Sequence, residues 1–266
     1  MEIDLSLDDP IATSSAIGHF IRDHVENAGR ERAIVALSGG IDSAVTAALA
    51  VGALGPDRVV VHTLPDGQIT PQADIDDAGR VAEALGIRCR EISIHDPLES
   101  MELALKEAGL TGDREIWGNT KARLRMIVNY FVAHFENGLV LGTGNRSEIL
   151  IGYYTKHGDA GVDILPIGRL YKSQVRHLAR HLQLPDRVID KAPSAGLWEG
   201  QTDEAELGMS YQELDRALVC LTEREMSVDE TADTLKMDSA KVTRIAEMIR
   251  TSAHKRAMPP MPDSPS

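Results

Sequence analysis

Short apolar runs alternate with stretches of helical period through the first two-thirds of the chain. Ala33-Ile34-Val35-Ala36-Leu37, Val59-Val60-Val61, the segment 87–94 with Ile87, Ile92 and Ile94, Leu139-Val140-Leu141, and Val162-Asp163-Ile164-Leu165 each suit a strand. Such runs are too short for helices, and many of their side chains are β-branched, which suits a pleated surface. Between them a helix is expected over 14–28, with Ile17, Phe20, Ile21 and Val25 on one side, and another from Asp42 to Leu54. Thr70 and Pro71 read as the cap and first turn of the next, whose apolar face is Ala78, Val81, Ala82 and Leu85. Asp96-Pro97-Leu98-Glu99 has the spacing of a capping box with Pro at the first helical position, and a longer helix follows over 114–136. Further helices are expected over 171–183, after the Ser210-x-x-Glu213 cap, and over 238–251. Strands that are short, apolar and separated by helices predict a parallel sheet covered on both faces, with right-handed crossovers. The expected fold is α/β: a doubly wound, five-stranded parallel sheet flanked by helices. We expect one domain over 1–258 and a flexible tail over 259–266, which contains four prolines.

Composition narrows the function. A chain of 266 residues with 42% hydrophobic content can bury a sizeable core. Its formal charge of −13 argues against a nucleic-acid surface, which needs concentrated positive charge. A small nucleotide needs only a few local cations and backbone amides. Glu2, Asp4, Asp8 and Asp9 interrupt the first apolar residues, unlike a signal peptide, and no apolar run is long enough to span a membrane. The expectation is a soluble cytoplasmic protein that engages neither membrane nor nucleic acid. Cys89 and Cys220 provide no zinc ligand set or disulfide framework and read as structural thiols. Gly196, Gly200 and Gly208, with the charges around them, mark 191–209 as a solvent loop or a lid.

Ser38-Gly39-Gly40-Ile41-Asp42-Ser43 joins the first expected strand directly to a helix. Small residues let the backbone approach phosphate oxygens, and the free amides of a helix start face the anion. Ser38 and Ser43 can donate hydroxyls, and Asp42 can hold a divalent cation that bridges phosphates. The loop lacks the Lys of the Gly-x-x-x-x-Gly-Lys-Ser/Thr pattern and is not Gly-x-Gly-x-x-Gly.

Ser-Gly-Gly-x-Asp-Ser resembles the loop of the ATP pyrophosphatases, a Rossmann-like fold whose members cleave ATP between the α and β phosphates. Within that superfamily, several later segments look like successive signatures of the bacterial and archaeal NAD synthetases. They are Asn119-x-x-Ala122-Arg123-x-Arg125-Met126, Gly142-Thr143-Gly144-Asn145-Arg146-Ser147-Glu148, Gly152 to Asp159, and Asp163-Ile164-Leu165-Pro166. Leu170-Tyr171-Lys172, Lys191 to Trp198, Gln201-Thr202-Asp203-Glu204 and His254-Lys255-Arg256 complete the series. The resemblance extends from about residue 14 to residue 258.

That resemblance implies ATP-dependent amidation of nicotinic acid adenine dinucleotide by ammonia, through an acyl-adenylate, giving NAD, AMP and pyrophosphate. ATP is then a co-substrate, contacted by Ala36, Leu37, Ser38, Gly39, Gly40, Ile41, Asp42, Ser43, Thr143, Lys172 and Ser194. Asp42 and Glu148 match the ligands of Mg2+, and Lys172 the contact to the ATP phosphates. Arg123, Lys156, Asp163, His254 and Lys255 match positions that hold the dinucleotide. Asp159 matches the carboxylate that receives ammonium, and it equally suits a structural cap of the turn at 158–161. The resemblance also implies a homodimer using the helix over 114–136, whose Leu124, Ile127, Val128 and Phe131 suit internal packing equally well. The alternatives are another adenylating ligase of the superfamily, such as GMP synthetase, and a nucleotide-binding module without catalysis.

Overall fold

The computed structural model describes residues 3–67, 69–198 and 200–262. Residues 1 and 2 of the expected domain, Glu199 of the glycine-rich segment and the end of the expected tail, 263–266, lie outside these residues.

The sheet begins where the sequence places it. Strand β1 (Arg32–Ala36) follows helix α1 (Pro10–Asn27), which Asp9 caps through its carboxylate. Helix α2 (Ile41–Leu54), strand β2 (Val59–Thr63), helix α3 (Gln72–Ala84) and strand β3 (Cys89–Glu91) continue the alternation. Helices α4 (His95–Glu107) and α5 (Arg114–Phe135) precede strand β4 (Gly138–Val140). All pairings are parallel, in the order β3-β2-β1-β4, and Ala36 stands beside His62 in the β1–β2 register.

Alternation along the strands divides the core between two faces. Ala33, Val35, Val59 and Val61 pack with apolar residues of α2 and α3, whereas Ile34 and Val140 pack with Val132 and Ala133 of α5. Helix α2 can sit this deep because it is rich in Ala and Val; ten of its fourteen residues are buried.

Beyond β4 the chain turns helical: α6 (Arg146–Ile151), α7 (Lys172–His181), α8 (Asp186–Ile189), α9 (Asp203–Leu207), α10 (Tyr211–Thr222), α11 (Val228–Leu235) and α12 (Ser239–Thr251). Tyr211, Leu214 and Leu218 of α10 meet Ile245 of α12 and Ile151 of α6 in a second apolar cluster. This cluster fastens the C-terminal helices against the ends of α6 and α7. Cys220 is buried in α10 and Cys89 is half-buried at the start of β3; burial raises both thiols, which keeps them protonated and inert.

Four expectations need correction. Among the described residues the sheet has four strands, not five: 162–165 contributes only the parallel bridge between Leu141 and Ile164. The Asp163 carboxylate accepts the Val140 amide at 2.7 Å, and Pro166 can extend no ladder, so pairing stops after one step. The strand expected over 87–94 is confined to Cys89–Glu91. Thr70 does not cap α3; its hydroxyl instead accepts the Asp66 amide at 2.9 Å, and Pro71 occupies the cap position. Helix α4 starts one residue before Asp96, with Ile94 at its cap and no side-chain capping bond. The capping box at Ser210 and Glu213 does form.

Helices α6, α7 and α10 are joined through one buried carboxylate. Asp215 of α10 is fully buried and accepts the hydroxyls of Ser147 and Ser173, the latter at 2.7 Å, and the Ser173 amide at 2.9 Å. Ser147 Oγ in turn accepts the Lys172 amide at 2.9 Å. Asp215→Ala leaves these donors without an acceptor and is expected to cost about 2–4 kcal/mol of stability in urea unfolding. A loss below about 0.5 kcal/mol, the scale of an ordinary surface substitution, contradicts this role for Asp215.

Candidate active site

The C-terminal ends of β1, β2 and β4 open onto a cavity of about 740 Å³. This is where an open parallel sheet places its ligands. The turn after β1 is built for close approach. The Leu37 amide donates to the His62 carbonyl at 2.8 Å, holding the chain beside β2 for one residue more. Gly39 then takes a φ of +74°, and a Cβ there would collide with the Asp74 carbonyl, so both the backbone angle and the space demand glycine. Lys191 reaches in from the far wall, donating to the Gly39 carbonyl at 3.1 Å and to Asp74 at 2.7 Å. Helix α2 starts with Gly40 at its cap and no side chain on its first amides. Ser38, Gly40, Ile41, Asp42 and Ser43 face the cavity.

Three charged side chains meet beside this helix start. Asp42 comes from the first turn of α2, Glu148 from α6 and Lys172 from the first position of α7. The Lys172 ammonium pairs closely with Asp42 Oδ2 and lies 3.4 Å from Glu148 Oε1. Asn145 donates its Nδ2 to Asp42 Oδ1 at 3.0 Å and forms a capping box with Glu148, so one residue orients both carboxylates. The Tyr211 ring lies 5.0 Å from the Lys172 ammonium, a cation–π contact.

The electrostatics follow from crowding in a poorly hydrated wall. Enclosure raises the Glu148 carboxyl; Lys172 opposes that rise and Asp42 adds to it. Burial alone would lower the Lys172 ammonium, but Asp42 and Glu148 more than offset it and hold the group above its ordinary value. A third carboxylate, Asp203, is buried close by and accepts the hydroxyls of Tyr153 and Tyr211 at 3.2 and 3.0 Å. Burial raises Asp203 as well. The cluster gathers three carboxyl groups around one ammonium, a donor set suited to a hard divalent cation.

Of the residues singled out in the sequence, Ala36, Leu37, Ser38, Gly40, Ile41, Asp42, Ser43, Thr143, Glu148, Asp159, Lys172, Ser194 and Lys255 line this cavity. Gly39 shapes it through its backbone. Asp159 accepts the Thr155 amide at 2.8 Å, as a turn cap does, and meets solvent inside the cavity. The surrounding protein raises its carboxyl despite that accepted bond. Lys255 donates to the Gly152 and Tyr154 carbonyls at 2.7 Å each, and its burial lowers the ammonium.

Arg123, Lys156, Asp163 and His254 lie outside the cavity lining. The Arg123 guanidinium donates to the Lys156 carbonyl at 3.4 Å, and the Lys156 ammonium donates to the His254 carbonyl at 2.9 Å. Asp163 accepts the Tyr130 hydroxyl at 3.1 Å. These four therefore gather beside the exposed face of α5. On that helix Leu124 is buried and Val128 partly so, whereas Ile127 and Phe131 are 55% and 72% exposed.

The segment 191–209 forms a wall of the cavity. Trp198 stacks on the Arg114 guanidinium at 4.8 Å, and the Leu197 carbonyl accepts from Lys121 at 3.3 Å. Sequence reasoning assigned no role to Asn145, Lys191, Asp203, Tyr153 or Tyr211. The Asn145-x-x-Glu148 spacing was a readable capping signal, but its second duty toward Asp42 depends on how α2 and α6 meet.

A sequence profile of the NAD synthase family matches residues 13–259. An NH(3)-dependent NAD(+) synthetase from Hyperthermus butylicus is 48% identical over 93% of this chain and 89% of its own length. Among solved structures, an NMN synthetase from Francisella tularensis superposes with a TM-score of 0.84 at 37% identity, covering 96% of this chain and 99% of that one. An NH3-dependent NAD synthetase from Campylobacter jejuni, solved with nitrate, gives a TM-score of 0.79 at 30% identity over 96% of this chain and all of that one. With a profile match over residues 13–259 and a relative 48% identical over 93% of this sequence, the chain belongs to the NAD synthase family.

Proposed function

We propose that this protein amidates the nicotinate carboxylate of nicotinic acid adenine dinucleotide with ammonia, consuming ATP and releasing NAD, AMP and pyrophosphate. The observation that carries this reading is the convergence of Asp42, Glu148 and Lys172 beside an open helix start. A carboxylate does not exchange oxide for ammonia at neutral pH. Transfer of AMP to it creates an acyl-adenylate, whose leaving group is good. The nicotinate oxygen attacks the α phosphorus, the bond to pyrophosphate breaks, and ammonia then displaces AMP from the carbonyl carbon.

The residues divide this work between them. The α2 amides with Ser38 and Ser43 hold the phosphates, and Thr143 and Ser194 supply further hydroxyls at the cavity wall. Lys172 follows the negative charge as it moves to the departing pyrophosphate. Asp42 and Glu148 are the pair fitted to Mg2+; a bound ion would neutralise the phosphate oxygens during departure. Asp159, with its raised carboxyl, is placed to take a proton from ammonium, since only free ammonia has the lone pair for attack. Lys255 reaches the cavity, and Arg123, Lys156, Asp163 and His254 offer charges on the adjoining surface for the far half of the dinucleotide.

The second reading concerns the length of the acceptor. The Francisella tularensis structure is named an NMN synthetase, so nicotinic acid mononucleotide is the competing substrate. Both acceptors should be offered with ATP and ammonia, and the products counted. We expect NAD and AMP in equal amounts, with the dinucleotide used at least tenfold more efficiently than the mononucleotide. Asp42→Ala and Glu148→Ala should each retain the fold and lose turnover by about a hundredfold or more. ADP as the product, preference for the mononucleotide, or near-normal turnover in either variant rejects the corresponding assignment.

We further propose that the exposed face of α5 pairs with a second copy of the chain. Ile127, Phe131 and Phe135 recur at helical spacing and are 55%, 72% and 76% exposed, more apolar surface than a lone helix face normally leaves in water. Such pairing would bring Arg123, Lys156, Asp163 and His254 to the joint. Sedimentation equilibrium should give twice the chain mass for the wild type and the single mass for Phe131→Asp; a monomeric, active wild type rejects the dimer.

A further inference from the structure

A buried polar pair under the cavity is unused by the chemistry above. His62, in β2, is 0% exposed, and its Nε2 lies 2.8 Å from Asn129 Oδ1 on α5. Its Nδ1 has no hydrogen-bonding partner among the described residues. Burial lowers the imidazole below its ordinary range, and the bond to Asn129 offsets this only in part, so the ring is neutral at pH 7 and carries a single N–H. A buried N–H without an acceptor costs more than a bare lone pair. The proton therefore sits on Nε2, donating to Asn129 Oδ1. This fixes the carboxamide: its oxygen is turned to His62, keeping one lone pair free, and its Nδ2 is the remaining donor.

Asn129 lines the cavity, as do apolar Ala36, Leu64, Pro65 and Met126. Ala36 stands directly beside His62 in the β1–β2 register and lies two residues before Ser38 of the phosphate turn. Adjacent strands are about 4.8 Å apart, so the pair sits within one base's reach of the strand that delivers the phosphates. Apolar walls with one oriented polar group are what a flat aromatic base requires. A carboxamide with one N–H free and one oxygen lone pair free matches adjacent acceptor and donor atoms, as adenine presents at N7 and N6. A 6-oxopurine presents two acceptors there and would set its O6 against the Asn129 oxygen.

We propose that Asn129 reads the base of the nucleoside triphosphate, and that His62 is the positioning residue that orients it to take a 6-aminopurine and reject a 6-oxopurine. This rests on the reading that the cavity binds ATP, but not on the amidation itself. Its test is therefore equilibrium binding by calorimetry with ATP and ITP, which needs no turnover.

The wild type should prefer ATP by about tenfold or more, the scale of one bidentate pair. Asn129→Ala and the similarly sized Asn129→Leu should bring the two affinities within about threefold by weakening ATP and relieving the clash with ITP. His62→Leu should do the same, whereas His62→Gln, which keeps a donor, should retain most of the preference. Thermal melts establish which variants fold, and Asn129→Leu and His62→Gln preserve side-chain volume if the others do not. In turnover, the KM for ATP should rise with kcat and the KM for the nicotinate substrate little changed. An unaltered ATP preference in folded Asn129 variants, equal weakening of ATP and ITP, or a shift confined to the nicotinate KM overturns the proposal. A wild type that ranks ATP over ITP yet forms no amide would instead defeat the proposed reaction and leave this assignment standing.

Discussion

Lys172 sits between Asp42 and Glu148, and much of the surrounding architecture serves to keep it there. Two carboxylates and an ammonium taken from water lose several kcal/mol of hydration each, which their attraction recovers only with good geometry and satisfied hydrogen bonds. The geometry comes from three helix starts aimed at one point. Asp42 and Lys172 occupy first turns, and Glu148 is held by the Asn145 capping box. Asn145 also completes Asp42, and the Tyr211 ring shields the ammonium. The Glu148 carboxyl remains raised by its enclosure and by Asp42, so Lys172 balances its charge only in part.

The same constraint explains the C-terminal helices. Helices α6 and α7 must hold their first residues in register although neither belongs to the sheet. Asp215 provides that register from α10 by accepting from Ser147 and Ser173, and the apolar cluster of α10 and α12 keeps α10 in place. The turn after β1 and helices over a hundred residues later are thereby parts of one mechanical arrangement. On the opposite wall, Lys191 ties the glycine-rich turn to Asp74, and Arg114 holds Trp198, so the 191–209 segment is anchored at these two points.

Much of this could be read from the chain before the fold was known. The apolar runs at 33–37, 59–61 and 139–141 located three strands because a parallel sheet leaves both faces apolar. Ser38 to Ser43 marked a tight turn between strand and helix, which the structure shows at the cavity, because nothing but glycine satisfies the Gly39 angle and the approach of Asp74. What was not legible depends on contacts between distant segments. Val162 to Leu165 has strand-like residues, yet Asp163 spends its carboxylate on the Val140 amide and the ladder stops. Thr70 looks like a cap but bonds to Asp66. The roles of Asn145, Asp203 and Asp215 follow from which helices meet, and no local spacing encodes that. Arg123 and Phe131 pointed to a binding surface, yet they lie on the outer face of α5 and only a partner can decide their use.

We propose that the Asp42–Lys172–Glu148 cluster promotes pyrophosphate departure from ATP before nitrogen arrives. Exchange of labelled pyrophosphate into ATP, without ammonia, tests it most directly. Exchange should require both Mg2+ and nicotinic acid adenine dinucleotide, and should stop when ammonia drains the acyl-adenylate to NAD. Exchange that proceeds without the dinucleotide, or its absence in a preparation that makes NAD rapidly once ammonia is added, would contradict it.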